Sequence, residues 1–294
     1  MYIPLENRGL IRIEGPDARD FLQGLVSQDM QRVTETQAVY SAFLTAQGKF
    51  LFDFFCFELD GTLVLDCEGE RRSDFFKRLS MYKLRSDVTL SDVTDAFQVC
   101  AVLSDTEKLG LGEQRGQATA FGGGKAFVDP RMAALGARVV LAPNSTALQD
   151  AGLSAGKFED YERVRMDLGV ADGSRDMGVD KALLLEYGFE ELDGVCFTKG
   201  CFMGQELTAR TRYRGLVKKR LLPVSIDGTT PQPGTPLMAG DKEAGEMKTS
   251  QGGQGLALVR LDQLADGVML TCEGATLTPF VPDWVVFQKD DANA

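Results

Sequence analysis

The hydrophobic pattern of this chain consists of short strand-like runs joined by tight turns, which restricts the fold to hairpin-rich architectures. Ile11 and Ile13 alternate as a strand, and a turn and an amphipathic helix follow them. The apolar run over residues 50–57 leads into a hairpin signal at Asp60 and Gly61. Because no regular alternation of strand, helix and strand is present, the pattern predicts an α+β fold.

Three further segments have helical spacing. The first lies behind a cap at Ser73 or Asp74, the second ends at Gly169, and the third covers residues 204–214. The three glycines at 122–124 lack the strand-to-helix setting of a phosphate-binding loop and predict a surface turn.

The sequence pattern changes at Leu221, after which short strand-like segments alternate with turns that contain Gly, Pro or Asp. This spacing predicts a small all-β barrel or sandwich of about 75 residues. We therefore expect an α+β region over residues 1–220, in one lobe or in two that join near 95–130, and a C-terminal β-barrel over residues 221–294.

The chain contains no histidine. This excludes a Ser-His-Asp triad, a Cys-His pair, a histidine general base and a histidine-ligated zinc site within the chain. Any chemistry must use carboxylates, thiols, Lys, Tyr or a bound cofactor.

Four of the six cysteines lie in apolar or strand-like contexts, which is typical of buried packing residues. No run approaches the roughly 18 apolar residues of a membrane span, and the N-terminal residues lack the pattern of a signal peptide. These features predict a soluble, unprocessed cytoplasmic protein that does not associate with a membrane.

Residues 199–220, KGCFMGQELTARTRYRGLVKKR, reverse the charge of an acidic chain. The protein carries −11, whereas this window holds seven Lys or Arg against one acid, Glu206, and stands at +6. Such a concentration favours an anionic ligand or partner. A solvent-exposed helix with ion pairs along its surface explains the clustering of these cations without a ligand, because Glu206, Arg210 and Arg214 follow one another at helical spacing. Tyr213 is the one aromatic residue close to these cations, which weakens a single-stranded nucleic-acid interpretation.

Cys201 lies inside this window, two residues after Lys199 and just ahead of the predicted helix. An ammonium group and a helix N-terminus both favour a thiolate, so the residue is either a reactive or metal-seeking thiol or a buried packing cysteine. Together with Cys196 it could form a transient site. Two thiols alone are too few to hold an iron–sulfur centre or a structural zinc ion.

Two carboxylates stand in unusual surroundings. Asp53 interrupts the apolar run LFDFFCF, and Asp167 ends the stretch RVRMD. A carboxylate in apolar surroundings is costly unless it is paired or binds the N–H groups of a ligand. An outward-facing position is the alternative for each of them.

The stretch KGCFMGQELTAR resembles the KGC-aromatic-x-GQE signature of the YgfZ family. Members of this family are folate-binding proteins of iron–sulfur cluster assembly and maintenance, and they share a fold with the aminomethyltransferase (T-protein) of the glycine cleavage system. The segments GPDARDFLQGLVSQD, AFLTAQGKFLFD, FVDPRMAALGARVV and GQGLALVRLD are also similar to family segments, so the resemblance covers nearly the whole chain.

The resemblance implies a ring of α+β lobes with a C-terminal β-barrel and tetrahydrofolate in a central channel. It implies that Asp167 pairs with the pterin N–H groups and that Asp53 lies beside the reactive nitrogens of the folate. It also implies that the basic window meets the glutamyl carboxylate through Lys199, with Arg210 and Arg214 as further cofactor-binding residues.

The signature also implies a functional role for Cys201, a thiol that the T-protein lacks. The function implied first is a tetrahydrofolate-binding accessory factor, rather than an enzyme, for iron–sulfur cluster assembly or repair in client proteins. Two alternatives stay open: a folate-dependent aminomethyltransferase with Asp53 as its polarising carboxylate, and a tRNA-modification factor whose basic window contacts tRNA.

Overall fold

The computed structural model describes residues 1–264 and 267–287. Within these ranges, no helix has the length and apolar character needed to cross a membrane. The chain divides into two compact units. The first unit contains Met1–Leu44, Leu51–Tyr161 and Leu192–Met203, and the second contains Thr45–Phe50, Glu162–Glu191 and the chain from Gly204 on.

The first unit is built from two sheets and short helices. Its strands are β1 (Tyr2–Pro4), β2 (Arg8–Glu14), β3 (Val39–Leu44), β4 (Phe50–Leu59), β5 (Thr62–Glu68), β6 (Thr89–Asp92), β7 (Gln98–Val102), β8 (Ala118–Phe121), β9 (Gly124–Val128) and β10 (Ala137–Leu141). Its α-helices are α1 (Ala18–Gln23), α2 (Arg72–Tyr82), α3 (Ala147–Asp150) and the first residues of α4 (Phe158–Asp167). Its short 3-10 helices are Met30–Arg32, Thr94–Ala96, Thr106–Leu109 and Ala133–Leu135.

The first sheet has five strands in the order β3-β4-β5-β2-β6. Strand β4 is apolar along nearly its whole length because both faces of the sheet are covered. Phe52, Phe54 and Cys56 belong to a core that also contains residues of α1 and α2. Since side chains alternate along a strand, Asp53 and Phe55 lie on the opposite face.

The second sheet has the order β1-β7-β10-β9-β8 and is also buried on both faces. Val139 of β10 packs in a core with Leu148 of α3. On its other face, Arg138 forms an ion pair with Asp66 of the first sheet. The two sheets of this unit therefore face each other across a layer that contains charged groups.

The charged layer is centred on Asp66, whose side chain has no exposed surface. One carboxylate oxygen accepts a hydrogen bond from Arg8 Nε at 2.6 Å, and the other accepts one from Arg138 Nη1 at 2.8 Å. Arg131 forms a 2.8 Å ion pair with Asp129 in the same buried layer. Burial by itself would raise the pKa of Asp129, but the guanidinium groups of Arg131 and Arg138 outweigh it and lower this pKa below its usual range.

An aromatic ring completes this layer. The guanidinium carbon of Arg138 lies 3.8 Å from the centroid of the Phe55 ring, and that of Arg131 lies 4.9 Å from it. Arg131 and Arg138 also donate hydrogen bonds to the hydroxyl of Tyr161. Buried cations are thus paired with carboxylates and packed on aromatic faces, which is how a protein interior tolerates them.

The second unit combines short helices with a β-barrel. Its elements are the remainder of α4, α5 (Gly173–Asp176), α6 (Gln205–Tyr213), 3-10 helices at Leu184–Tyr187 and Leu261–Gln263, and the strands β11 (Lys219–Asp227), β12 (Pro236–Ala239), β13 (Lys242–Gln251), β14 (Gln254–Arg260), β15 (Leu270–Cys272) and β16 (Ala275–Pro279). The six strands close in the order β11-β14-β13-β12-β15-β16, so the barrel leaves no unpaired edge.

A second buried ion network fixes the helices of this unit to the barrel. Arg165 of α4 has no exposed side-chain surface and pairs with Glu162 at 2.7 Å and with Asp176 at 2.8 Å. The other oxygen of the Asp176 carboxylate accepts hydrogen bonds from the backbone and the hydroxyl of Thr249 on β13.

Most of the predicted local elements are confirmed. A helix ends at Asp167, shortly before Gly169, and the glycines at 122–124 form the turn between β8 and β9. The predicted cap of α2 is wrong, because the helix begins at Arg72 and its N-cap residue, Arg71, makes no capping hydrogen bond. The division of the chain between residues 220 and 221 stays a prediction.

The charged layer gives a direct test of stability. Asp66→Asn removes the buried negative charge that Arg8 and Arg138 share, so we expect the free energy of unfolding to fall by about 3–5 kcal/mol in urea denaturation. Asp92→Asn, which removes the partly exposed partner of Arg72, is the matched control and should cost roughly 0–1 kcal/mol. Equal losses in the two variants would contradict a structural role for the layer.

Candidate functional site

The residues on either side of Cys201 form a segment fixed to the edge of the first sheet. We call residues 192–203 the thiol segment. Its backbone is held at two points, where the amide of Cys196 donates to the carbonyl of Ser27 at 2.9 Å and the amide of Met203 donates to the carbonyl of Gly24 at 3.0 Å.

The chain at residues 26–28 is itself held on the sheet. The amide of Ser27 donates to the carbonyl of Ala42 in the edge strand β3, and the hydroxyl of Ser41 accepts a hydrogen bond from the amide of Gln28. Covering an edge strand in this way satisfies its backbone polar groups. The thiol segment is therefore attached to the sheet through one intervening layer of chain.

Side chains add to this attachment. The hydroxyl of Ser27 donates to the carbonyl of Gly194 at 2.6 Å. The side-chain amide of Gln28 donates to both the backbone carbonyl and the carboxylate of Asp193. Arg32 forms a 2.7 Å ion pair with the same aspartate. The start of the thiol segment is thus fixed by several independent contacts.

Lys199 holds the centre of the segment. Its ammonium group donates to the carbonyls of Val26 and Gln28, both at 2.7 Å, and lies 5.3 Å from the centroid of the Phe202 ring. Burial lowers the pKa of Lys199 to about 8, although Asp29 and Cys196 oppose this effect. Two of the three ammonium donors are used inside the protein, so Lys199 acts here as a structural anchor.

Cys201 is exposed, and it lies between two anchored neighbours. Gly200 precedes it with a φ of +97° and open space around its Cα, a conformation that glycine adopts without strain. Phe202 is buried and Met203 packs against the core of the first unit. Cys201 is therefore exposed, together with Thr198 and Gly200, in a segment whose other residues are buried or half-buried.

The other five cysteines, all in the described part of the chain, have different surroundings. Cys196 is half-buried, with its sulfur 3.4 Å from the hydroxyl of Thr198. The remaining four are buried. Burial raises the pKa of Cys56 and of Cys67 to about 12, which keeps both thiols protonated and inert near neutral pH. Exposure singles out Cys201 as the thiol that a partner can reach.

Asp53 lies on β4 on the face that meets the second sheet, and it is 4% exposed. One of its carboxylate oxygens accepts a 2.9 Å hydrogen bond from the hydroxyl of Tyr40. Burial and the adjacent carboxylate raise the pKa of Tyr40 well above its ordinary value. The ring of Tyr40 lies under Arg131, 5.4 Å from its guanidinium carbon. Asp53 is therefore in contact with the buried polar layer of the first unit.

The other predicted site residues belong to the second unit. Asp167 is the exposed last residue of α4, and Arg210 and Arg214 are exposed on α6 and just after it. Two of the neighbouring cations are paired internally, Arg212 with Glu190 and Arg220 with Glu191, each at 2.6 Å. Within the first unit, Lys199 and Cys201 lie on the thiol segment, whereas Asp53 lies in the sheet interior.

Sequence reasoning missed the residues that hold the thiol segment. Ser27 and Gln28 lie in a segment that resembles the family, but nothing in the sequence indicates their contacts to Gly194 and Asp193, which join positions more than 160 residues apart. In residues 1–264 and 267–287, no three His, Cys, Asp or Glu side chains are grouped so that they could hold a metal ion.

Two family models match the chain. A model described as the GCVT N-terminal domain matches residues 4–103, and one described as the CAF17 C-terminal beta-barrel domain matches residues 218–287. Among solved structures, aminomethyltransferase T of the glycine cleavage system from Bartonella henselae has a TM-score of 0.75 and 14% identity, over 97% of this chain and 86% of that chain. This structural likeness shows the fold alone.

Curated relatives match along nearly the whole chain. The mitochondrial iron–sulfur cluster assembly factor IBA57 of Homo sapiens is 34% identical over 95% of this chain and 84% of the relative. The IBA57 protein of Mus musculus is 32% identical over the same shares of the two chains.

These matches decide several of the predictions. The aminomethyltransferase-like fold class with a C-terminal β-barrel is confirmed. The expected cytoplasmic location is wrong, because relatives that match 95% of this chain are named as mitochondrial proteins. The roles predicted for individual site residues, and the predicted binding of tetrahydrofolate and of tRNA, stay predictions.

The anchoring role of Lys199 can be measured by hydrogen exchange. Lys199→Met removes two hydrogen bonds from a charged donor, each worth about 1.5–3 kcal/mol before the cost of burying the charge is subtracted. We expect the amides of Cys196 and Met203 to exchange roughly tenfold faster, which corresponds to about 1.4 kcal/mol. Lys218→Met removes the same charge from an exposed position and should leave both amides unchanged. Unaltered exchange in Lys199→Met would refute the anchor.

Proposed function

The chain belongs to the IBA57 family of iron–sulfur cluster assembly factors, and from this we propose that it is an accessory factor that supports the assembly or repair of iron–sulfur clusters in client proteins. In this proposal Cys201 is the functional thiol. It contacts a cluster, or a thiol of a partner, at the moment of transfer.

The presentation of Cys201 is the observation that carries this proposal. Thiolates are the preferred protein ligands of iron–sulfur clusters, and a ligand must be able to reach the metal. Cys201 is exposed, while four of the other cysteines are buried. One accessible thiol offers one coordination position, which suits a brief contact with a cluster that a partner also holds.

The anchoring of the thiol segment supports the same role. Lys199, Cys196 and Met203 fix the chain on both sides of Cys201 through hydrogen bonds of 2.7–3.0 Å. A ligand held by its neighbours loses less conformational entropy when it binds than one on a free loop. The thiol is therefore accessible and already ordered.

Tetrahydrofolate is a further proposal, which the similarity of KGCFMGQE to the YgfZ signature suggests. Asp53 has suitable chemistry, because a buried carboxylate oriented by the hydroxyl of Tyr40 is a strong acceptor for an N–H group at the reactive nitrogens of the folate. The role of Asp167, an exposed carboxylate at the end of α4, is suggested by the resemblance alone. When bound, tetrahydrofolate would supply a carrier for one-carbon units.

Lys199 does not fit the folate role that the resemblance implies. Its ammonium group already donates to the carbonyls of Val26 and Gln28, so binding a glutamyl carboxylate through these donors would cost both contacts. Arg210 and Arg214, which are exposed, are better suited to an anion. We therefore assign Lys199 to the anchoring of the thiol segment.

The thiol proposal predicts a selective loss of function. In cells that lack the native gene, Cys201→Ser should fail to restore the activity of cluster-dependent enzymes, because a hydroxyl is a poor ligand for iron in these clusters. The purified variant should unfold like the parent protein, since the side chain is exposed.

Cys196→Ser is the matched control. A serine hydroxyl can keep the contact with Thr198, so this variant should restore the enzymes. Full activity of cluster-dependent enzymes with Cys201→Ser would refute the role of the thiol.

The folate proposal predicts that tetrahydrofolate raises the melting temperature of the protein in a saturable manner. Asp53→Asn should weaken binding roughly tenfold or more, since a hydrogen bond to a charged acceptor is worth about 1.5–3 kcal/mol. Asp60→Asn, at an exposed turn, should bind like the parent. A melting temperature that does not respond to tetrahydrofolate would end this proposal while leaving the thiol proposal intact.

A further inference from the structure

The C-terminal end of α6 and the loop that follows it expose cations around two apolar side chains. Arg210, Tyr213, Arg214, Leu216 and Lys218 form this surface, which we call the docking face. Tyr213 is 69% exposed and Leu216 is 44% exposed. The three cations are exposed as well.

The cations of the docking face are not used by the fold. Two cations of the same stretch, Arg212 and Arg220, form ion pairs with Glu190 and Glu191, each at 2.6 Å. Arg210, Arg214 and Lys218 have no carboxylate within 4.0 Å among the residues that the structure describes. Of the six cations in residues 205–220, two are thus paired internally, Lys219 is half-buried and three are exposed.

Helix electrostatics explains only part of this arrangement. A cation at the C-terminal end of a helix is stabilised by the helix dipole, and this applies to Arg210 in the last turn of α6 and to Arg214, its C-cap residue. It does not explain Lys218, or the exposure of Tyr213 and Leu216. Tyrosine and arginine are enriched in protein interfaces, where an aromatic ring supplies buried area and a guanidinium supplies directed hydrogen bonds.

The net charge of the chain also favours an acidic partner at this face. The protein carries −11, and residues 199–220 carry +6, so the remainder carries −17. Glu190 and Glu191 compensate two of the cations in this window, which leaves the three cations of the docking face to attract an acidic partner to a molecule of net negative charge. Such a field orients the encounter and increases the association rate.

We propose that the docking face binds an acidic surface of a partner protein, with an apolar side chain of the partner seated between Tyr213 and Leu216 and carboxylates at Arg210, Arg214 and Lys218. This inference rests on the proposed assembly role and adds a partner-binding surface to it, because an accessory factor must bind the protein on which it acts.

A protein partner is favoured over RNA by the composition of the face. Single-stranded nucleic acid is bound by a row of aromatic side chains on which successive bases stack, in addition to cations. The docking face offers one aromatic ring, Tyr213, and an aliphatic residue, Leu216. An aliphatic contact contributes to a protein interface, whereas it gives little to the recognition of a phosphate backbone.

Photo-cross-linking in living cells tests the proposal with the full chain. Benzoylphenylalanine replaces Tyr213, which keeps an aromatic ring at the position, and the adduct is identified by the mass of the cross-linked peptide. We expect a peptide from a protein surface rich in Asp and Glu. An adduct with RNA, an adduct with a peptide that lacks acidic residues, or no adduct would overturn the proposal.

Charge variants add a quantitative criterion. With the same photoprobe, the triple variant Arg210→Gln, Arg214→Gln, Lys218→Gln should lower the adduct yield roughly tenfold. The control triple variant Arg78→Gln, Lys181→Gln, Lys242→Gln removes the same net charge from other exposed positions and should keep the adduct. Equal yields in the two triple variants would contradict docking through this face.

The same experiment separates this proposal from the thiol proposal. Cys201→Ser combined with the photoprobe should retain the adduct while it fails to restore cluster-dependent enzymes. If the docking face has no role, the adduct is absent and Cys201→Ser still impairs those enzymes. If the thiol has no role, the adduct forms and Cys201→Ser restores enzyme activity.

Discussion

The Asp66 carboxylate, buried between two guanidinium groups, is the interaction on which the first unit depends. Arg8 and Arg138 reach it from two different sheets, at 2.6 and 2.8 Å. Charges buried in a sheet interior are tolerated only when each is paired, so the two sheets must meet in the one register that brings these groups together. This constraint determines which face of each sheet is directed toward the other, and therefore the side of β4 on which Asp53 and Phe55 lie.

The same sheet supports the candidate site. Its edge strand β3 is covered by residues 26–28, and these residues in turn hold the thiol segment through Ser27, Gln28 and Lys199. Backbone groups that an open edge would leave unpaired are used instead to fix a loop. The order of the thiol segment is thus a consequence of how the sheet ends, and the outward turn at Cys201 depends on glycine at position 200.

Local patterns were sufficient for much of the fold. The apolar run of β4, the helix that ends before Gly169 and the closely spaced C-terminal strands are determined by neighbouring residues, and each was predictable. The partners of Asp53 and Lys199 were not. The partner of Asp53 depends on the pairing of β3 with β4, and the partners of Lys199 lie more than 170 residues away in the chain. Asp53 looked like a lone carboxylate in an apolar run, yet it meets Tyr40 in the neighbouring strand. Lys199 looked like a cation available to a ligand, yet its ammonium group donates to two backbone carbonyls.

The charge reversal in residues 199–220 was visible in the sequence. Which of its cations are paired inside the protein was not, because this depends on the ion pairs with Glu190 and Glu191.

We propose that the fold presents Cys201 as an accessible thiol for an iron–sulfur cluster. Alkylation of the native protein by iodoacetamide, located by mass spectrometry, with and without a glutathione-coordinated iron–sulfur cluster, tests this directly. We expect Cys201 to be modified before any other cysteine and the cluster to protect it. Faster modification of another cysteine, or no protection of Cys201 by the cluster, would refute this role of the thiol.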